Sequence, residues 1–162
     1  MIVLKSPAEL DKMRAAGQIV AETLALLKSR ICPGVTTAEL DHLAVKECKR
    51  HGAKPAFKGY GGFPHAICSS PNDRVVHGFA DKTPLQEGDI LSIDFGVLYK
   101  GFYGDSAITV AVGEVDDETQ RLLTVTRESL EMAIEKAVPN GRLSDISHAV
   151  QSWVEPKGFS VV

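Results

Sequence analysis

Two acids stand where strand interiors are usually apolar. The stretch 88–113 reads GDILSIDFGVLYKGFYGDSAITVAVG and contains Asp94 and Asp105. Its two runs, 90–99 and 102–112, are rich in Ile, Val, Leu, Phe and Tyr and meet at Lys100-Gly101, the pattern of a β-hairpin. A two-residue loop there sets Tyr99 against Phe102, Asp105 against Gly96 and Asp94 against Ala107. Side chains alternate along a strand, so positions 94 and 96 share a face. Asp94 and Asp105 then become diagonal neighbours, roughly 7–8 Å apart, within reach of one shared ion. Two carboxylates facing each other in an apolar hairpin are costly without compensation, and a hard divalent cation with oxygen ligands supplies it. A single Asp in a strand is more often structural. Asp105, following Gly104, also suits a bulge, which would break the shared face. Two acids on one face favour a metal or an acid–base pair.

The elements around the hairpin follow from punctuation and periodicity. Ser6-Pro7-Ala8-Glu9 is a capped helix start, with apolar positions Leu10, Met13, Ala16, Val20, Leu24 and Leu27 carrying it to about 31, before Pro33-Gly34. Thr36-Thr37-Ala38-Glu39 opens a second helix reaching about 50, stopped at His51-Gly52. Residues 53–71 are strand and loop material, with Lys58-Gly59-Tyr60-Gly61-Gly62-Phe63-Pro64 bending around a surface or a pocket. His77, after Val75-Val76, is expected at a strand end, and a lone histidine of this kind is more often structural than catalytic. Residues 79–87 read as a polar loop. A third helix spans about 117–138 and a fourth about 144–156, with Lys157-Gly158 ending it.

Bulk properties exclude several classes. The 162 residues suffice for one domain with a core, and the composition, 44% hydrophobic and 24% charged, is that of a soluble globular protein. A net charge of −3 leaves no basic footprint for nucleic acid. No apolar run approaches a membrane span, and the N-terminus lacks the features of a secretory signal. Three scattered cysteines, Cys32, Cys48 and Cys68, show no metal-type spacing and point to a reducing cytoplasm.

Shifting the chain by 106 positions aligns the two helix pairs: Pro33 meets Pro139, Glu39 meets Asp145, His42 meets His148 and Gly52 meets Gly158. Helix hairpins punctuated by Pro and Gly can resemble one another by chance, and the identities are few. A true duplication implies a first repeat at about 6–113 and the start of a second at about 117–162. The strands and the acidic hairpin of the first copy have no counterpart in the second, so the whole of 1–162 reads as a single, apparently shortened domain. Phe159-Ser160-Val161-Val162 would be the beginning of a strand.

The chain resembles the type I methionine aminopeptidases over essentially its whole length. The resemblance rests on Pro33-Gly34-Val35-Thr36-Thr37-x-Glu39-Leu40, Tyr60-x-Gly62-Phe63-Pro64, Asn72-x-x-Val75-Val76-His77-Gly78, Gly88-Asp89-Ile90-x-x-Ile93-Asp94, Gly101-x-x-Gly104-Asp105 and Glu155-x-x-Gly158-Phe159-Ser160-Val161-Val162, in that order. It implies an α+β, pita-bread fold (creatinase/aminopeptidase-like), here the N-terminal half plus the helix pair of the second half around an antiparallel hairpin. It also implies a cytoplasmic metalloprotease, a hydrolase that performs N-terminal methionine excision on nascent polypeptides.

By the same resemblance, two divalent metal ions (Co, Mn, Fe, Zn or Ni) are held by two Asp, one His and two Glu. Asp94 and Asp105 match the two Asp, the second bridging both ions. His77 matches a histidine that touches the substrate beside the scissile amide and assists proton transfer. Tyr60, Phe63 and Cys68 match the walls of the methionine pocket, and Phe57 falls where another wall residue is expected. The ligand His and both Glu fall beyond position 162. The chain alone is therefore expected to supply part of an active site and to be weakly active or inactive. Pairing with a complementary C-terminal fragment or a homo-oligomer is then expected, with no nucleic acid or membrane partner. The alternative is a catalytically inactive half-fold serving as a binding or self-associating module.

Overall fold

A computed structural model describes residues 3–162. The chain forms two compact units, Met1–Glu114 and Val115–Val162. The first contains helices α1 (Pro7–Lys28) and α2 (Thr37–Arg50), followed by strands β1 (Lys54–Pro55), β2 (Ile67–Pro71), β3 (Ile90–Tyr99) and β4 (Phe102–Ala111). The second contains α3 (Asp117–Lys136) and α4 (Leu143–Val154), with a short 3-10 turn after α4.

Both helices of the first unit start as the sequence dictates. Ser6 and Glu9 form a reciprocal capping box, and Pro7 occupies the first turn, where a missing N–H costs nothing. Thr36 and Glu39 do the same for α2. These helices cover one face of an antiparallel sheet. Strand β3 is its centre: β4 pairs with it along all ten residues, while β2 and β1 share its other edge, β2 against Leu91 to Phe95 and β1 against Val97 and Leu98. Alternation along β3 places Leu91, Ile93, Phe95 and Val97 in the core, each 0% exposed, in one cluster with Val20, Leu24 and Leu27 of α1 and Leu40 and Ala44 of α2. Each such side chain contributes about 1.5–3 kcal/mol by leaving water.

The hairpin has the anticipated register. Tyr99 faces Phe102, Gly96 faces Asp105 and Asp94 faces Ala107, with an unbroken ladder between them and no bulge at Gly104. Lys100 and Gly101 both take positive φ, 48° and 83°, the twist that suits a two-residue hairpin loop.

In the second unit, α4 opens at Leu143, the position that the 106-residue offset pairs with Thr37. Its first turn starts one residue before the expected Ser144, because Asp145 reaches back to accept a hydrogen bond from the Arg142 N–H at 3.0 Å. Residues 159–162 form no strand. Phe159 instead lies under the Arg121 guanidinium, 4.6 Å from the ring centre. Among the described residues, no helix is long and apolar enough to cross a membrane.

Candidate functional site

The face of β3 turned away from the core carries Ser92, Asp94 and Gly96. Their partners on that face are Thr109, Ala107 and Asp105 on β4, and Ser70 and Cys68 on β2. Cys68 stands directly opposite Asp94. The Ser92 and Thr109 hydroxyls bond each other at 2.8 Å, so this face begins polar and becomes acidic along the ladder.

A cavity of about 570 Å³ opens over the acidic end, lined by Phe57, Tyr60, Gly61, Gly62, Phe63, Cys68, His77, Phe79, Asp94 and Asp105. All seven residues singled out in the sequence therefore line a single cavity, although they come from four separate segments. Glycines make two of the close approaches possible. At Gly96 a methyl group would lie 2.8 Å from the Phe57 ring, so the absent side chain admits that ring beside the acids. At Gly104 it would lie 2.6 Å from the Ala16 carbonyl carbon, so α1 can cross β4 immediately before Asp105.

Burial, and then the facing charge of Asp105, push the Asp94 carboxyl up to about 6, with His77 pulling weakly the other way. Burial and the same two acids push the Cys68 thiol up to about 11, so it remains a neutral, sulfur-bearing wall. Phe63 and Phe79 meet edge to face at 5.3 Å, and His65 packs against both.

A second expectation is overturned. His77 does not end a strand. Residues 72–89 form an irregular loop in which Val75 and Val76 are 64% and 62% exposed, and Val76 has a φ of 41°, incompatible with a strand. The local apolar pair imitates a strand, but Asn72 ends β2 first. Asn72 takes a φ of 54°, and its side chain accepts from Ile90 N–H at 3.0 Å and donates to Asp89 at 2.9 Å. Asp89 also accepts from Gln86 N–H at 2.8 Å. Asn72 and Gly88-Asp89-Ile90 thus fasten the loop that carries His77 onto the mouth of β3.

Sequence reasoning passed over two other participants. Phe79 falls in the stretch that reads as a polar loop but lines the cavity; an aromatic two residues after His77 is the signal for it. Asp41 on α2 is 7% exposed and accepts from Ala66 and Ile67 N–H at 2.6 and 3.1 Å, fixing the start of β2 and so the placement of Cys68. An acid inside the apolar stripe of a helix was the signal there.

The model of metallopeptidase family M24 matches residues 11–162. The chain belongs to metallopeptidase family M24. It is 49% identical over 162 residues to a methionine aminopeptidase of Clostridium perfringens, which it matches with 100% of its own length and 65% of that protein's. It is 50% identical to methionine aminopeptidase 1 of Bacillus subtilis, again over 65% of that protein. Among solved structures, the methionine aminopeptidase of Rickettsia prowazekii superposes with a TM-score of 0.97 at 40% identity, covering 100% of this chain and 65% of that one. The prolidase of Pyrococcus furiosus shares the fold, with a TM-score of 0.86 at 22% identity. The M24 chain thus has the α+β pita-bread architecture and spans 65% of the length of the curated relatives it matches.

A metallopeptidase family implies divalent metal ions. Asp94 and Asp105 fit such an ion in donor type and charge: two oxygen ligands on one face, mutually repulsive until a cation or a proton intervenes. The fit is partial. Among the described residues, no group of three or more His, Cys, Asp or Glu side chains is placed to hold a metal.

Proposed function

We propose that this M24 chain contributes the first part of a methionine aminopeptidase site that removes the N-terminal methionine of nascent polypeptides in the cytoplasm. The observation that carries the reading is the cavity itself, which combines two carboxylates, one histidine and a wall of Phe57, Tyr60, Phe63, Phe79 and Cys68. An unbranched thioether suits such apolar and sulfur-bearing surroundings.

Asp94 and Asp105 would hold the ions, two in number, Co, Mn, Fe, Zn or Ni. When bound, these ions supply Lewis acidity at the scissile carbonyl. His77 donates a hydrogen bond beside the scissile amide and steadies the proton transferred there. The aromatic wall excludes water from the methionine side chain and fixes the depth to which the peptide enters. The remaining side-chain ligands implied by the resemblance, one His and two Glu, have no match within these 162 residues. The chain alone then binds metal weakly and hydrolyses little.

Release of methionine from a methionyl peptide by the 162-residue chain, measured with Mn²⁺ or Co²⁺, is expected to run orders of magnitude below that of a complete relative. Metal-dependent turnover near the complete rate would overturn the partial-site reading. Calorimetric titration with Mn²⁺ tests the ligands separately: weak binding abolished by Asp94→Asn supports them, and identical heats from both chains remove them. The exposed apolar residues Leu130, Ile134, Val138 and Leu143 of the second unit favour the second reading, a self-associating half-fold. A monomer by sedimentation at high concentration would count against it.

A further inference from the structure

Besides Asn72 and Asp89, a buried hydroxyl holds the loop that carries His77. Ser70, on β2, lies on the same sheet face as Ser92 and Asp94 and is 3% exposed. Its Oγ donates to the Val76 carbonyl and accepts from the Gly78 N–H at 3.1 Å. These backbone groups flank His77 on either side. The Gly78 carbonyl in turn accepts from Ser69 N–H at 2.9 Å, which fastens the loop to β2 itself.

Two features show that the chain is pulled into this position rather than resting there. Val76 is β-branched yet takes a φ of 41°, a conformation such residues avoid. At Gly78 a methyl group would lie 2.1 Å from the Ser69 carbonyl oxygen and 2.7 Å from the Arg74 side chain, so only glycine fits against the strand. His77 itself is exposed, and among the described residues no side-chain hydrogen bond holds its ring. Its place beside Asp94 is therefore set by its backbone.

We propose that Ser70 is a positioning residue for His77: its hydroxyl closes the 76–78 turn and so aims the imidazole into the cavity over Asp94 and Asp105. The inference rests on the reading of His77 and the two acids given above. Substituting Ser70 removes no group that touches substrate or metal, but it lets Val76 relax to ordinary φ and swings His77 away.

The test uses the 162-residue chain, isotope-labelled, with Mn²⁺ as a paramagnetic probe whose broadening falls steeply with distance. In the native chain, Mn²⁺ at the acids should broaden the His77 ring resonances together with the Cys68 and Phe95 amides. In Ser70→Ala, the Cys68 and Phe95 broadening should persist while that of the His77 ring drops severalfold, and Ser70→Thr, which keeps the hydroxyl, should restore it. Unchanged His77 broadening in a folded Ser70→Ala chain would overturn the proposal.

Metal-free amide exchange gives a second readout. The Gly78 amide should be protected in the native chain and exchange about tenfold faster or more in Ser70→Ala, with the β2 and β3 amides unchanged. Rapid Gly78 exchange in the native chain would overturn the proposal without any variant, which covers the case in which Ser70→Ala fails to fold. If Mn²⁺ broadened neither the Cys68 nor the Phe95 amide, the metal reading would fall, and Gly78 exchange would still decide the role of Ser70.

Discussion

On one face of β3, Leu91, Ile93, Phe95 and Val97 are fully buried in a cluster completed by α1 and α2; the other carries Ser92, Asp94 and Gly96, and Asp94 lines an open cavity. Adjacent residues of one strand thus serve opposite ends. The core face needs only apolar type and volume, and neighbouring residues share the burden. The cavity face depends on individual residues that weaken the sheet: an acid where desolvation is costly, and a glycine where a side chain would pack. The difference implies that the core face holds the fold with a margin that the cavity face spends, and substitutions on each face should be separable.

The largest effect is expected on the core face. Phe95→Ala removes a ring with no exposure and should cost about 3–5 kcal/mol, read from urea unfolding followed by circular dichroism. Mn²⁺ binding by the fraction still folded should be unaltered. Loss of binding while the chain remained folded would show that the faces are not separable.

Gly104→Ala joins the two faces. The added methyl would meet the backbone of α1 at Ala16, which cannot rotate away as a side chain could. About 2–3 kcal/mol of stability should be lost. Because Asp105 is the next residue, Mn²⁺ affinity should fall as well. A thermal melt and a titration on the same sample check both, and a loss of stability without loss of affinity would place α1 outside the support of the site.

The two faces were not equally legible in the sequence. The register of the hairpin was readable because Lys100-Gly101 allows one loop length, and that length fixes every pair from Tyr99–Phe102 back to Asp94–Ala107. Helix starts were readable because Ser6 with Glu9, and Thr36 with Glu39, are local devices three residues apart. What could not be read depends on contacts distant in sequence. Val75-Val76 resembles a strand until Ser70 and Asn72 bend the chain away from β3. Phe79 looks like loop until it meets Phe63, and the acid that Asp41 places in the apolar stripe of α2 has no visible partner until Ala66 and Ile67 arrive with two N–H groups.

Asp41 tests that last point with a smaller effect. Asp41→Ala leaves the Ala66 and Ile67 N–H groups buried without an acceptor and should cost about 2 kcal/mol. Asp41→Asn keeps one oxygen acceptor and should cost less than half of that. Equal losses in the two variants, measured by urea unfolding, would mean that the negative charge beside His65, 3.7 Å away, matters more than the bonds to the strand.

The smallest effect has the opposite sign. In the metal-free chain the Asp94 carboxyl lies near 6, above its ordinary value of 3.8, so the folded state holds this proton more tightly than the unfolded one. The penalty is fully present above pH 6 and is relieved as pH falls from about 6 towards 4. Asp94→Asn removes the charge and should stabilise the chelator-treated chain by about 1 kcal/mol at pH 7.5, a figure reduced for the water that still reaches this half-buried group. The advantage should vanish near pH 4, where the native carboxyl is also neutral. Carboxylates held below their usual range, such as Glu9, Glu39 and Asp81, destabilise both chains alike as pH falls, so only the difference between the two unfolding curves carries the signal. With Mn²⁺ present the order should reverse, because only the native chain gains from the ion. A variant no more stable than the native chain at pH 7.5 without metal would show that the cavity face spends none of the margin the core face provides.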